Sequence, residues 1–241
     1  DRQNNPIELP QQMFMGIAMF IAQNEKEGER QKWAKKFYDM LSKFEVMAAT
    51  PTLSNARTIR HQLSSCYIGS TPDNIEGIFD SYKEMALLSK FGGGIGWDWN
   101  QVRGMGSSIN GHKNAAGGTV PFLKITNDIA IAVDQLGTRK GAIAVYVEPW
   151  HIDIQNFLDL KKNSGEERRR AHDLFPALWI NDLFMERVKA DEIWTLFDPL
   201  ECGELAELHG EAFVKRYEEL EKDETVVKEK GREKDLWKGG L

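Results

Sequence analysis

"QLSSCYIGSTPDNIEGIFDSYKEMALLSKFGGGIGWDWNQVR", residues 62–103, decides the fold. A short apolar segment ending "SSCYIG" is followed by a stretch from Asn74 to Lys90 whose apolar residues recur at helical spacing. A run of glycines and a second short apolar segment come next. The same alternation continues downstream. A helical pattern over 121–136, "PFLKITNDIAIAVDQL", leads to the strand-like "GAIAVYVEP" (141–149), and "LFPALWIN" (174–181) precedes the helical "DLFMERVKAD" (182–191) and the strand-like "IWTLFD" (193–198). Strands taking turns with helices predict an α/β sheet or barrel with parallel strands.

Upstream, "PQQMFMGIAMFIAQNEKEGERQKWAKKFYDMLSKFEV" (10–46) has apolar residues at helical spacing from Met13 to Ile21 and from Trp33 to Leu41. The charged "NEKEGER" between them predicts a helical hairpin. Downstream, "FVKRYEELEKDETVVKEKGREKDLWKGGL" (213–241) is charge-rich and is expected to carry little apolar face. The chain opens without a start methionine, and Leu236 and Trp237 begin an apolar helix face just before the last residue; both features are expected of a piece of something larger.

Composition sets the outer limits. The 241 residues are 41% hydrophobic and 28% charged, the profile of a globular protein with a sizeable core. With 31 basic against 37 acidic residues the net charge is −6, which offers no general affinity for nucleic acid or an anionic membrane surface. The longest apolar run, "MFMGIAMFIA" at 13–22, is too short to span a membrane and reads as a buried helix. Two cysteines cannot make a disulfide framework, so a reducing, cytoplasmic setting is expected, and metal binding by cysteine pairs is excluded.

Cys66 sits between two serines and the apolar Tyr67–Ile68, and two readings stand open: a small core residue, or a redox thiol at a strand end. The glycines Gly92, Gly93, Gly94 and Gly96 also allow two readings, a structural turn or a loop whose N–H groups cradle phosphate. They match neither the Walker pattern nor the dinucleotide fingerprint. A second glycine-bearing loop, "VDQLGTRKGAIA" (133–144), places Gln135, Arg139 and Lys140 on flexible backbone before a strand.

Taken together, "ATPTLSNART", "QLSSCYIGSTPDNIEGIFDS", "SKFGGGIGWDWNQVRGMGSSI", "VDQLGTRKGAIAVYVEPWHIDIQNFLDLKKNSG" and "PALWINDLFM" occur in order, and the chain resembles the large, catalytic subunit of class I ribonucleotide reductase from about Leu9 to Trp237. The resemblance implies an α/β fold. Residues 1–48 would be a helical segment ending the N-terminal helical domain. Residues 49–241 would be the first half of a ten-stranded α/β barrel, incomplete at its C-terminus.

It also implies roles. Cys66 matches the first of two thiols that reduce the ribose and become a disulfide, chemistry suited to a dithiol that exchange can regenerate. Thr50 and Ser65 match positions holding the substrate's diphosphate and sugar, and Gly93 and Gly94 match backbone lining the substrate site. Asp73, Asn74, Ile75, Arg103 and Ile109 match the allosteric site, where a deoxynucleoside triphosphate or ATP binds at a homodimer interface. Gln135 and Arg139 match the loop relaying effector identity to the substrate base. For Cys202 the family supplies no thiol role, and an inert buried thiol is expected.

The family's radical-bearing cysteine, in an Asn-x-Cys-x-Glu motif, and its second redox cysteine are absent from these 241 residues. The expectation is therefore a segment of a ribonucleoside-diphosphate reductase that binds no cofactor or metal itself. Its implied partners are a complementary C-terminal part of the large subunit, a metal-containing small subunit that generates the radical, a nucleoside diphosphate substrate, and thioredoxin or glutaredoxin as reductant. The alternative is a non-catalytic nucleotide-binding, dimerising module.

Overall fold

The computed structural model describes residues 7–59, 61–133 and 141–232, so Gln135 and Arg139 lie outside the described residues. Two compact units emerge. The first comprises residues 1–67 with 91–93, and the second 68–90 with 94–241.

The first unit is the helical hairpin the sequence predicts, with a short third helix. Helix α1 (Pro10–Ile21) starts with proline at its first turn, where the missing N–H costs nothing. α2 spans Arg30–Ser42 and α3 spans Thr50–Asn55. Phe14, Ile17 and Ala18 bury one face of α1, and Phe14 and Ile17 form a small core with Leu41 and Ala56.

The second unit carries the sheet. Its elements are β1 (Cys66–Ser70), whose first two residues belong to the first unit, then α4 (Ile75–Lys90), β2 (Gly94–Asp98), α5 (Val120–Ala132), β3 (Ile143–Val147), α6 (Ile154–Leu158) and β4 (Phe175–Leu178). The strands lie in the order β1-β2-β3-β4, and β2–β3 and β3–β4 are parallel, with Trp97 opposite Val145 and Val145 opposite Pro176. Alternation does the sorting. Ile95, Trp97, Ile143, Val145 and Val147 are buried in one core with Tyr82 and Met85 of α4 and Leu123 of α5. The intervening Gly96, Asp98, Ala144 and Tyr146 are only half-buried, on the side of the sheet left open among the described residues.

Next come α7 (Asp182–Ala190), β5 (Ile193–Phe197), α8 (Pro199–Cys202), α9 (Gly210–Lys222) and β6 (Lys228–Arg232). Here two expectations fail. Strands β5 and β6 pair antiparallel in a separate two-stranded sheet, and β6, "KEKGR", has no apolar alternation by which it could have been found. Helix α9 does have an apolar face: Phe213, Tyr217 and Leu220, spaced i, i+4, i+7, are buried among its charges. Tyr217 explains why α9 docks. Its ring stacks on Trp194 at 4.4 Å, and its hydroxyl accepts from Thr195 N and donates to Thr195 O, both at 2.8 Å. Arg187 covers the stack, 5.1 Å from the Tyr217 ring, and forks onto both oxygens of Glu221 at 2.7 Å.

The end of β5 is tied back to the chain that follows β3. Phe197 N donates to Trp150 O at 2.7 Å and Ile152 N to Phe197 O at 2.9 Å. This fixes residues 150–153 and Asp198 beside the loop that follows β2.

Candidate functional site

Cys66 opens β1 and is exposed, so it is not a core residue. The Ser65 hydroxyl is 3.5 Å from its sulfur. Further along β1, Ile68 and Ser70 are exposed as well. Those two line a cleft of about 610 Å³ on the open side of the sheet with Gly96, Asp98, Tyr146 and Glu148. Cys202 differs in every respect. It is fully buried, and burial pushes its thiol up to about 12, which leaves it protonated and unreactive at neutral pH.

Of the glycines, Gly92 takes the left-handed φ of 89° that turns the chain out of α4, which answers the structural reading of the cluster. Gly93 is buried, and Gly94 starts β2. Thr50 is exposed at the first position of α3.

The second constellation is built on the loop from Asn100 to Thr119. Asp73, Asn74 and Ile75 form the entry to α4, where Asn74 Oδ1 accepts from Gly77 N at 2.8 Å. Gly77 has to be small: a Cβ there would lie 2.2 Å from the Pro72 ring. Arg103 reaches this entry. Its backbone N donates to Asp73 Oδ1 at 3.1 Å, its Nε and Nη2 lie 2.8 Å from Asp73 Oδ2, and its Nη1 donates to Ser108 O at 2.7 Å. That carboxylate holds the guanidinium charged, raising an already high pKa. Ile109 lies at the loop tip, partly exposed, opposite His112 across a tight turn through Asn110 and Gly111, both at positive φ.

The sequence reading missed the groups beneath this loop. His151, fully buried, accepts from Asp153 N through Nδ1 at 3.0 Å, so its Nε2 carries the proton and donates to Val102 O at 2.9 Å. Burial lowers its pKa and keeps it neutral, although Asp153, Asp198 and Asp73 all pull the other way. Asp153 and Asp198 are also buried.

Glu148 was missed as well. It is buried at the end of β3, and desolvation, reinforced by the charge of Asp98, pushes its pKa up to about 8. Asn100 is its closest partner, with Nδ2 3.4 Å from Glu148 Oε1 and Oδ1 accepting from Glu148 N at 2.6 Å. Burial also raises Asp98. The available signal was an acidic residue at the C-terminal end of each of three strands, Asp98, Glu148 and Asp198, where α/β folds place their sites. No group of His, Cys, Asp or Glu suited to holding a metal ion occurs among the described residues. Nor is any described helix long and apolar enough to cross a membrane.

An all-helical segment feeding a largely parallel α/β sheet, with an exposed thiol at the head of one strand and a charge-pinned loop after the next, defines a two-part α/β protein. The chain belongs to the ribonucleotide reductase large-subunit family: the family model "Ribonucleotide reductase, all-alpha domain" matches residues 1–61 and "Ribonucleotide reductase, barrel domain" matches residues 64–239. It is 72% identical over 238 residues to the ribonucleoside-diphosphate reductase subunit alpha of Helicobacter pylori strain 26695, covering 99% of this chain and 30% of that protein. The subunit alpha of Treponema pallidum is 45% identical over 234 residues, 94% of this chain and 28% of the relative. The large chain from Cryptosporidium parvum is 45% identical over 221 residues, 91% of this chain and 27% of the relative. The chain thus spans less than a third of the length of each of these relatives.

Proposed function

We propose that this chain is the part of a class I ribonucleoside-diphosphate reductase large subunit that supplies the first redox thiol and the effector loop, and that it reduces ribonucleoside diphosphates only together with the rest of that subunit. The observation that carries the reading is the exposed Cys66 beside Ser65 at the head of strand β1, whereas the other cysteine, Cys202, is sealed in a core. A thiol pair delivers two electrons and closes to a disulfide. Cys202 cannot be the partner, being buried and held protonated. The second thiol and the radical thiol therefore belong to the complementary part, the radical arises on a metal-containing small subunit, and thioredoxin or glutaredoxin reopens the disulfide.

Thr50, Ser65, Gly93 and Gly94 are proposed to hold the substrate. Asp73, Asn74, Ile75, Arg103 and Ile109 are proposed to hold a deoxynucleoside triphosphate or ATP, and Gln135 and Arg139 to relay its identity. The effector site at a homodimer interface is supported by apolar residues left on the solvent side of α4, with Ile75 60% and Phe79 55% exposed one turn apart and Leu87 47% exposed two turns further on.

The test is turnover of a ribonucleoside diphosphate by the full-length subunit with its small subunit and reductant. Cys66→Ser should abolish multiple turnovers and leave effector binding intact, whereas Cys202→Ala should stay within about threefold of wild type, as expected for a residue away from the chemistry. Equal losses from both, or turnover by the 241-residue chain alone, would overturn the reading.

A further inference from the structure

The backbone N–H groups of three successive residues in the loop after β2 go to three different carboxylates. Arg103 N donates to Asp73, Gly104 N to Asp198 Oδ1 at 3.2 Å, and Met105 N to Asp153 Oδ1 at 2.9 Å. The same two buried acids take hold of the loop again further along. Asp153 Oδ2 accepts from Thr119 N at 2.8 Å and from Thr119 Oγ1 at 3.1 Å, and Asp198 Oδ2 accepts from the Ser107 hydroxyl. Neither acid is on the loop. Asp153 precedes α6 and Asp198 caps α8, accepting from Leu200 N at 3.0 Å, so both belong to the scaffold that follows strands β3 and β5.

The packing admits little else. A Cβ on Gly104 would lie 2.0 Å from Ile152, and one on Gly118, at φ +74°, would lie 2.3 Å from Asp153 Oδ2. The loop closes on itself as well, with Gly106 N donating to Ala116 O at 2.9 Å and Ala116 N to Ser107 O at 3.0 Å. Ile109, at the tip, is 41% exposed, and the Arg103 side chain, 24% exposed, reaches from the anchored part of the loop to Asp73 and Ser108.

We propose that Asp153 and Asp198 are positioning residues for effector recognition: they fix the loop in the one conformation that presents Arg103 and Ile109. This rests on the effector reading of those two residues. It assigns a regulatory role to buried acids that touch no ligand. It also ranks them by chemistry. Asparagine at 153 keeps one acceptor but turns an NH₂ donor toward an N–H, either that of Met105 or that of Thr119, and neither can reverse its role. Asparagine at 198 turns its NH₂ toward Ser107, whose hydroxyl can accept that bond while donating to Gly104 O at 2.7 Å. D153N should therefore be the severe variant and D198N the mild one.

The experiment uses the full-length subunit and two readouts, backbone hydrogen exchange and calorimetric binding of dTTP, dGTP and dATP. For D153N, exchange should rise at least tenfold at Gly104, Met105 and Thr119 and stay unchanged in β3 and α5. Its effector dissociation constant should rise tenfold or more, while turnover without effector is retained. D198N should shift both by less than about threefold. Exchange that rises across the whole barrel in D153N would make Asp153 a general stability residue and overturn the proposal, as would unchanged loop exchange, or D198N proving the worse of the two. A wild type that binds no deoxynucleotide, with faster exchange still confined to the loop in D153N, retires the effector reading and supports the anchoring.

Discussion

The loop side of the sheet and its open side hold the same kind of group in different hydrogen-bonding settings. Under the loop, Asp73, Asp153 and Asp198 each accept three hydrogen bonds or charge-assisted contacts, from Arg103, from Met105 and Thr119, and from Gly104, Ser107 and Leu200. On the open side, Glu148 has one long bond from Asn100, and Asp98 accepts from Asn100 N at 3.2 Å. Two further buried donors, Trp150 Nε1 and Asn181 Nδ2, close no hydrogen bond among the described residues, although both help to stabilise the Glu148 carboxylate. Burial alone therefore does not decide how well a carboxylate is satisfied; the donors that close short hydrogen bonds onto it do. Among the described residues, the acids on the loop side have their hydrogen bonds closed. The other side has donors and acceptors in hand and an open cleft in front of them.

Glu148 gives the largest break in that comparison. Its pKa in the folded chain, about 8, lies above the ordinary 4.5. Between those values the unfolded chain has released a proton that the folded chain keeps, so stability falls as pH rises through this window and levels off above about 8. Glu148→Gln removes that dependence and should raise stability at pH 8 relative to pH 5 by at most about 3.5 kcal/mol compared with wild type. Urea unfolding of both proteins at the two pH values measures it. A residual slope of the same sign belongs to Asp98, which burial also raises. Identical slopes in wild type and variant would mean that Glu148 is ionised in the folded state and that the contrast between the two sides is wrong.

How much of this was legible from sequence follows the same divide. Strands β1 to β5 and helices α1, α2, α4, α5 and α7 declare themselves through apolar periodicity, because burial of one face is written into spacing. Cys66, Asp73 and Arg103 stood out because motifs surround them. The structure brings Asp73 and Arg103 into contact across thirty positions of sequence. Asp153, Asp198, His151 and Glu148 were not singled out, because what makes them matter is the donor each one faces, and Gly104 finds its acceptor 94 residues away. No local pattern encodes such a pairing. Helix α9 was misread for a related reason: Phe213, Tyr217 and Leu220 form a stripe too narrow to show through the charges beside it. β6 has no readable pattern, since its pairing with β5 uses backbone groups that any sequence supplies.

Arg103→Ala comes next in size and sharpens the loop side. The side chain closes the loop on Ser108 and neutralises Asp73, so its loss would remove the proposed phosphate contact and leave a half-buried carboxylate without its partner. Charge-assisted bonds of this kind are worth roughly 1.5–3 kcal/mol, about a tenfold to hundredfold loss of effector affinity. Lysine should not restore it, because a single ammonium cannot span Asp73 and Ser108 as the planar guanidinium does. Calorimetry on the full-length subunit at several protein concentrations would show this, and an unchanged dissociation constant would remove Arg103 from the proposed site.

The smallest effect is expected where the geometry looks equally good. Lys35 and Asp39 on α2 lie 2.9 Å apart, against 2.8 Å for Arg103 and Asp73, and each acts to keep the other charged. Their settings differ. The Lys35 side chain is 77% exposed, so water competes for both charges and salt screens them, whereas the Arg103 side chain is 24% exposed and bonds to a backbone carbonyl as well. Holding a long lysine in one rotamer offsets most of what the contact returns. Lys35→Ala should accordingly leave the thermal midpoint unchanged within error at physiological salt, and raising the salt concentration should not separate it from wild type. A clear drop in midpoint that salt abolishes would show that distance, rather than the number of donors and the exclusion of water, sets the worth of an ion pair in this chain, and the distinction between its pinned loop and its open sheet face would lose its physical basis.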